Sequence, residues 1–173
     1  MDGAGGRKGA RLAALLAAGL AIYHLAYLAI YLAKPHPPAD PPFSDFYAFW
    51  SFGRFLSAHS ADRIYDFAAL EAFQQSLRPG FTSFYPCVYP PFLLLFLAPL
   101  AAADYLPAFA IWTAIGLVGF ALAVGARNWR SPLPWLAVLA PTTILTVVAG
   151  QNGLITSALL IGGFRLMPRR PWL

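Results

Sequence analysis

The chain has 173 residues, 59% of them hydrophobic and only 11% charged, with a formal net charge of +5. Soluble domains carry roughly 25% charged residues, so this composition excludes an ordinary soluble domain and points to a polytopic all-α membrane protein. The positive charge then reads as membrane orientation and contact with lipid headgroups; no basic stripe has the spacing of a nucleic-acid module, which excludes that class of partner.

The single cysteine, Cys87, has no internal disulfide partner. His24, His36 and His59 are scattered, and no acidic cluster demands a divalent ion, so no metal site and no cofactor are expected.

The first apolar run is Leu12 to Ala33, preceded by Arg7, Lys8 and Arg11. At 1.5 Å per residue it extends about 33 Å, enough to cross the hydrocarbon. It is too long for a signal-peptide core and no small-residue cleavage site follows. The expectation is an uncleaved transmembrane helix over 12–33 with a cytoplasmic N-terminus.

The Pro-rich stretch KPHPPADPP (34–42) ends that helix and opens a loop over 34–86. The loop holds five acids and four bases, against the basic N-terminus, which favours the outer side of the membrane. Two short helices fit inside it, over about 45–58 and 67–77. In the first, Asp45, Phe49, Phe52 and Leu56 share one face, with Tyr47, Ser51 and Arg54 opposite. In the second, Asp66 is a plausible N-cap. The dense aromatic content suits helices lying in the membrane interface.

Val88 to Ala103 is apolar but carries Pro90, Pro91 and Pro99, so residues 87–103 read as a re-entrant or short membrane helix. Transmembrane helices are expected over 105–126, 132–149 and 153–167, the last two joined at GQN (150–152). In this order Arg127, Arg130, Arg165, Arg169 and Arg170 all face the cytoplasm, as positive charge near spans should. The loop, the YPCVYPP segment and GQN then share the outer side, where Cys87 is expected to meet an impermeant thiol reagent unless lipid shields it. The whole of 1–173 reads as a single membrane domain.

Candidate chemistry centres on Asp45, at the head of FSDFYAFWSFGRF. Its bland reading is an acid in a first helical turn, where it offsets the dipole; Ser44 is available to cap instead. Its other reading follows from its alignment with Phe49, Phe52 and Leu56, where a carboxylate is costly to desolvate unless used. Such an acid is a natural general base. Tyr85 and Tyr89, among Pro86, Pro90 and Pro91, either anchor a helix start or form a rigid aromatic wall for a sugar ring or lipid chain. Gln151 and Asn152 either make a connecting turn or offer paired amides to hydroxyls or phosphate. Arg54, Arg63 and Arg78 suit lipid headgroups, and one of them, Arg54 being the choice, suits a substrate phosphate. Arg54 lies about 180° from Asp45 around the helix, so those two are not expected to pair.

SDFYAFW around Asp45, IYDFAAL (64–70), VYPPFLLLFLAPLA (88–101), Trp112 and GQNGLITSALL (150–160) occur in that order. The series resembles glycosyltransferase family 87, bacterial mannosyltransferase-like membrane proteins of the GT-C fold. The resemblance covers the chain from Phe43 onward. It implies a sugar, mannose, carried on polyprenyl phosphate, a glycan or glycolipid acceptor, and an active site on the outer face of the bacterial cytoplasmic membrane. It also implies a catalytic aspartate in the first outer loop, which maps onto Asp45, with Arg54, Tyr85, Tyr89, Gln151 and Asn152 as substrate-binding candidates. Family members are longer, so the chain is expected to be an N-terminal portion. The rival expectation is a non-catalytic lipid-binding scaffold or transporter subunit.

Overall fold

A computed structural model describes residues 3–33, 41–125, 131 and 133–167, and among them every regular element is helical. The RNWR cluster (127–130), Arg169 and Arg170 lie outside the described residues, as does most of KPHPPADPP. Contacts divide the chain into two compact units, residues 35–112 and residues 1–34 with 113–173.

The 35–112 unit is built around α2 (Ser44–Ala58). The expected amphipathic face is not what forms. Every residue from Phe46 to Gly53 is buried, and so is Phe55. A stripe would require one side of the helix to stay open, but α2 is packed by other parts of the unit on several sides. These are a 3₁₀ turn (Ala61–Tyr65), α3 (Phe67–Leu77), α4 (Pro91–Leu97) and a second 3₁₀ turn (Ala98–Ala102). Close approach to the last two depends on Gly53, where a Cβ would lie 2.5 Å from the Leu97 carbonyl oxygen. The boundaries of α3 are those expected, and Asp66 caps it by accepting from the Ala69 N–H at 3.2 Å. Pro90 precedes α4 and Pro91 opens it, where a missing N–H costs nothing.

The second unit holds α1 (Gly3–Ala33), the part of α5 (Tyr105–Val124) from Thr113 onward, α6 (Leu133–Val138), α7 (Pro141–Ala149) and α8 (Gly153–Leu166). Two segments, Arg11–Ala33 and Tyr105–Val124, are long and apolar enough to cross a membrane, with mean hydropathy 1.9 and 2.0. The segment expected as one helix over 132–149 is broken instead. Pro141 has no N–H to continue the ladder and its ring opposes the preceding turn. Thr143 Oγ1 bridges the break by donating to the Ala137 carbonyl at 2.8 Å. In α1, His24 is 2% exposed and both ring nitrogens lack a hydrogen-bond partner among the described residues. Small residues bring α5 onto α8, with Gly116 against Leu154 and Gly119 against Ala158. Arg165 donates to the Ala123 carbonyl at 2.6 Å, a cation on the last turn of α5.

Candidate functional site

Asp45 stands in the first turn of α2, and that turn is held in an unusual way. Ser44 does not cap it: the cap is Phe43, in the left-handed region at φ 59° and ψ 57°, with no side-chain cap bond. A bulky residue there is strained, and such strain persists only where its surroundings over-determine it. Phe43 is over-determined. Its ring stacks on Phe109 at 3.8 Å and 8°. Its carbonyl accepts from the Phe46 and Tyr47 N–H groups, and from the Tyr105 hydroxyl at 3.0 Å. Tyr105 also donates to the Pro42 carbonyl. The backbone entering Asp45 is therefore rigid.

Asp45 itself is half-buried. Phe49 lies one turn on, so the two share a face. The Tyr89 ring packs on Phe49 at 5.5 Å, and Trp112 packs on Phe49 at 5.2 Å. Burial raises the pKa of the Tyr89 phenol, and the nearby charge of Asp45 raises it further. Asp45 and Tyr89 thus both border Phe49, with Trp112 against the same ring.

Tyr85 goes elsewhere. Its ring stacks on Phe81 at 5.8 Å and meets Tyr47 at 6.3 Å. Tyr47 and Phe49 are about 200° apart around a helix, so Tyr85 and Tyr89 lie against different faces of α2 rather than forming one wall. The segment between them is clamped at both ends. Gln74, fully buried, donates to the Tyr85 carbonyl at 2.9 Å and accepts from the Tyr85 N–H at 3.1 Å. Tyr65 donates its hydroxyl to the Tyr89 carbonyl at 2.8 Å.

Arg54 is engaged away from Asp45. It reaches Asp104 at 3.6 Å and the Ala103 carbonyl at 3.5 Å, and lies 5.0 Å from the centre of the Trp50 ring. Nine residues of helix put it about 13 Å along the axis from Asp45, on the opposite side. Arg63 pairs with Asp66 at 3.6 Å. Cys87 is buried, and burial raises its thiol pKa, so the expectation of a reagent-accessible cysteine is corrected. Gln151 and Asn152 belong to the other unit. There Gly150, at φ 76°, ends α7, the Gln151 N–H bonds the Thr146 carbonyl at 3.0 Å, and Asn152 takes the N-cap position of α8 with no side-chain cap bond. This is a Schellman-type turn; Gln151 is exposed and Asn152 half-buried.

Gln74, Tyr65, Tyr105 and Asp104 were missed in the sequence. Gln74 carried one usable signal, an amide in the helix pattern two turns from an aromatic cap region; the others carried none, because their partners are distant in the chain.

No group of three or more His, Cys, Asp or Glu side chains converges as a metal site among the described residues. No curated protein and no solved structure matches the chain. The matched family segment begins at Val88, so it includes Tyr89, Trp112 and GQN but not Asp45 or IYDFAAL. Residues 88–173 match the model of glycosyltransferase family 87.

Proposed function

We propose that the chain is part of a polytopic, GT-C-like membrane glycosyltransferase that moves a sugar, mannose, from a polyprenyl-phosphate donor to an acceptor hydroxyl on the outer face of a bacterial cytoplasmic membrane. The exposed face of α1 supports the membrane setting: Leu12, Leu15, Ile22, Leu25 and Ile30 are each more than half exposed, a pattern suited to lipid and costly in water.

The observation that carries the reading is that Asp45 and Tyr89 both border Phe49. It links the only acid of the aromatic stretch to the segment that matches a glycosyltransferase family. Asp45 would take the proton from the acceptor hydroxyl as that oxygen attacks the anomeric carbon. The bond from that carbon to the lipid phosphate oxygen breaks, and the phosphate leaves with the electron pair. A single displacement of this kind inverts the anomeric centre. Phosphate is a competent leaving group, so a second catalytic acid is not required. Tyr89 supplies an aromatic surface beside the base. Gln151 and Asn152, in the other unit, are proposed separately as amides able to bind hydroxyls or phosphate. Arg54 and Tyr85 are the more remote members of the substrate-binding set, and Arg54 would contact a phosphate only at the far end of α2.

The test is transfer from a mannosyl-phosphoprenol in lipid vesicles by the chain within its parent protein. Asp45→Asn should lower transfer by about 10²–10⁴-fold, the usual span of general-base help, with membrane insertion unchanged. Near-normal transfer by that variant would sink the assignment. Lipid binding with no transfer by the unaltered protein would favour the scaffold reading.

A further inference from the structure

The 35–112 unit contains a groove of about 690 Å³, inside the roughly 300–1,000 Å³ range of small-ligand clefts. One wall is apolar and open: Phe92 and Leu95 of α4 are 64% and 76% exposed. Leu56 of α2 adds to it. The other wall is the 3₁₀ turn, with Asp62 and Tyr65. The Tyr65 hydroxyl is already bonded to the Tyr89 carbonyl. Its polar end is therefore used, and what it offers the groove is a ring held in place. The Asp62 carboxyl is exposed, and a hydrogen bond from the Ser60 side chain, then those from the Asp62 and Arg63 backbone, hold it below the usual carboxylate range. It is an anion at neutral pH.

Charge and shape select the occupant. A lipid phosphate would be repelled by Asp62. A bare hydrocarbon chain would cover that carboxylate and give it no partner, which is unfavourable. A pyranose ring satisfies both walls: its C–H face packs on an aromatic ring, and its hydroxyls donate to a carboxylate. The groove is tied to the Asp45 region by one chain of contacts: Tyr65, in its wall, donates to the Tyr89 carbonyl, and the Tyr89 ring packs on Phe49, one helical turn from Asp45.

We infer that this groove is the acceptor subsite: it takes a neutral saccharide ring, with Tyr65 as the stacking platform and Asp62 as the hydroxyl acceptor. The inference rests on Asp45 being the base that meets an acceptor hydroxyl. It names residues that touch the acceptor and take no part in the bond exchange.

The experiment measures binding, so that it is separate from transfer. The full chain in lipid nanodiscs is titrated with methyl α-mannopyranoside and followed by saturation-transfer NMR. Asp62→Asn and Tyr65→Leu should each weaken binding by about tenfold, the loss expected from one charge-assisted hydrogen bond or one packed ring. Tyr65→Phe keeps the ring and should bind within about threefold of the unaltered chain. Unchanged binding in Asp62→Asn, whose exposed carboxyl gives no reason for misfolding, overturns the subsite even if Tyr65→Leu does not fold. Displacement of the sugar by farnesyl phosphate through this groove also overturns it, assigning the groove to a lipid anion. Sugar binding that depends on Asp62, together with undisturbed transfer by Asp45→Asn, keeps the subsite and removes the base.

Discussion

The carboxylate of Asp45 lies within electrostatic reach of the Tyr89 phenol. Burial is the larger cause of that phenol's raised pKa, and the Asp45 charge adds to it. The sign gives a direct check. An anion beside a phenol disfavours the phenolate, so removing it must lower the pKa. Asp45→Asn should therefore move the Tyr89 titration toward lower pH, by less than the whole shift, because burial stays. Carbon-labelled tyrosine NMR, with Tyr89→Phe to identify the signal, measures it. A Tyr89 signal that does not move would mean the two residues are apart in solution.

Gly53→Ala tests how α2 is packed. The added Cβ would sit 2.5 Å from the Leu97 carbonyl oxygen and 3.3 Å from its carbon, both backbone atoms. Neither can swing away as a side chain would, so α4 and the following 3₁₀ turn must shift. Overpacking of this kind costs about 1–3 kcal/mol. Thermal unfolding in detergent should fall to match, although Ala is the better helix former and by itself would add about 1 kcal/mol of stability. A rise in stability would show that the contact is looser than described.

Several elements were legible in the sequence because their causes are local. Asp66 before an apolar helix pattern is a cap wherever it occurs, and the Ala69 N–H meets it. The turn at GQN follows from Gly150, which supplies the positive φ that ends α7. The long apolar runs gave α1 and α5 for the same reason. Periodicity failed for α2 because it assumes one wet or lipid-facing side. A helix packed on several sides shows no stripe, and Phe46, Phe52 and Phe55 are all fully buried despite pointing different ways. The break before α7 comes from Pro141, whose missing N–H interrupts the ladder of an otherwise apolar stretch. The site was legible only in part. Asp45 and Tyr89 were both singled out, yet their meeting depends on Tyr65 and Gln74 holding a segment that the chain reaches many residues later. Nothing local announces a clamp of that sort.

The buried bond between Tyr47 and Gln74 yields the last prediction. Tyr47 donates to the Gln74 carbonyl at 2.7 Å. The Gln74 side chain in turn donates to Ser51 at 3.0 Å and holds Tyr85. Burial pushes the Tyr47 phenol up to about 12 from its ordinary 10.0, with the Arg78 charge acting against the rise. A phenol whose pKa is raised by folding stays protonated longer in the folded chain than in the unfolded one. Its contribution to stability is therefore complete below pH 10 and lost as pH rises from there to about 12. Unfolding monitored by circular dichroism should show an alkaline loss of stability across that window. Tyr47→Phe should shrink that step to what Tyr89, also raised by burial, contributes, while losing about 0.5–1.5 kcal/mol at neutral pH for the missing hydrogen bond. Arg78→Gln should move the step to higher pH, since it takes away the charge that favours the phenolate. An alkaline step of the same size and position in Tyr47→Phe would assign it to another tyrosine and leave the Tyr47–Gln74 bond without a role in the alkaline limit.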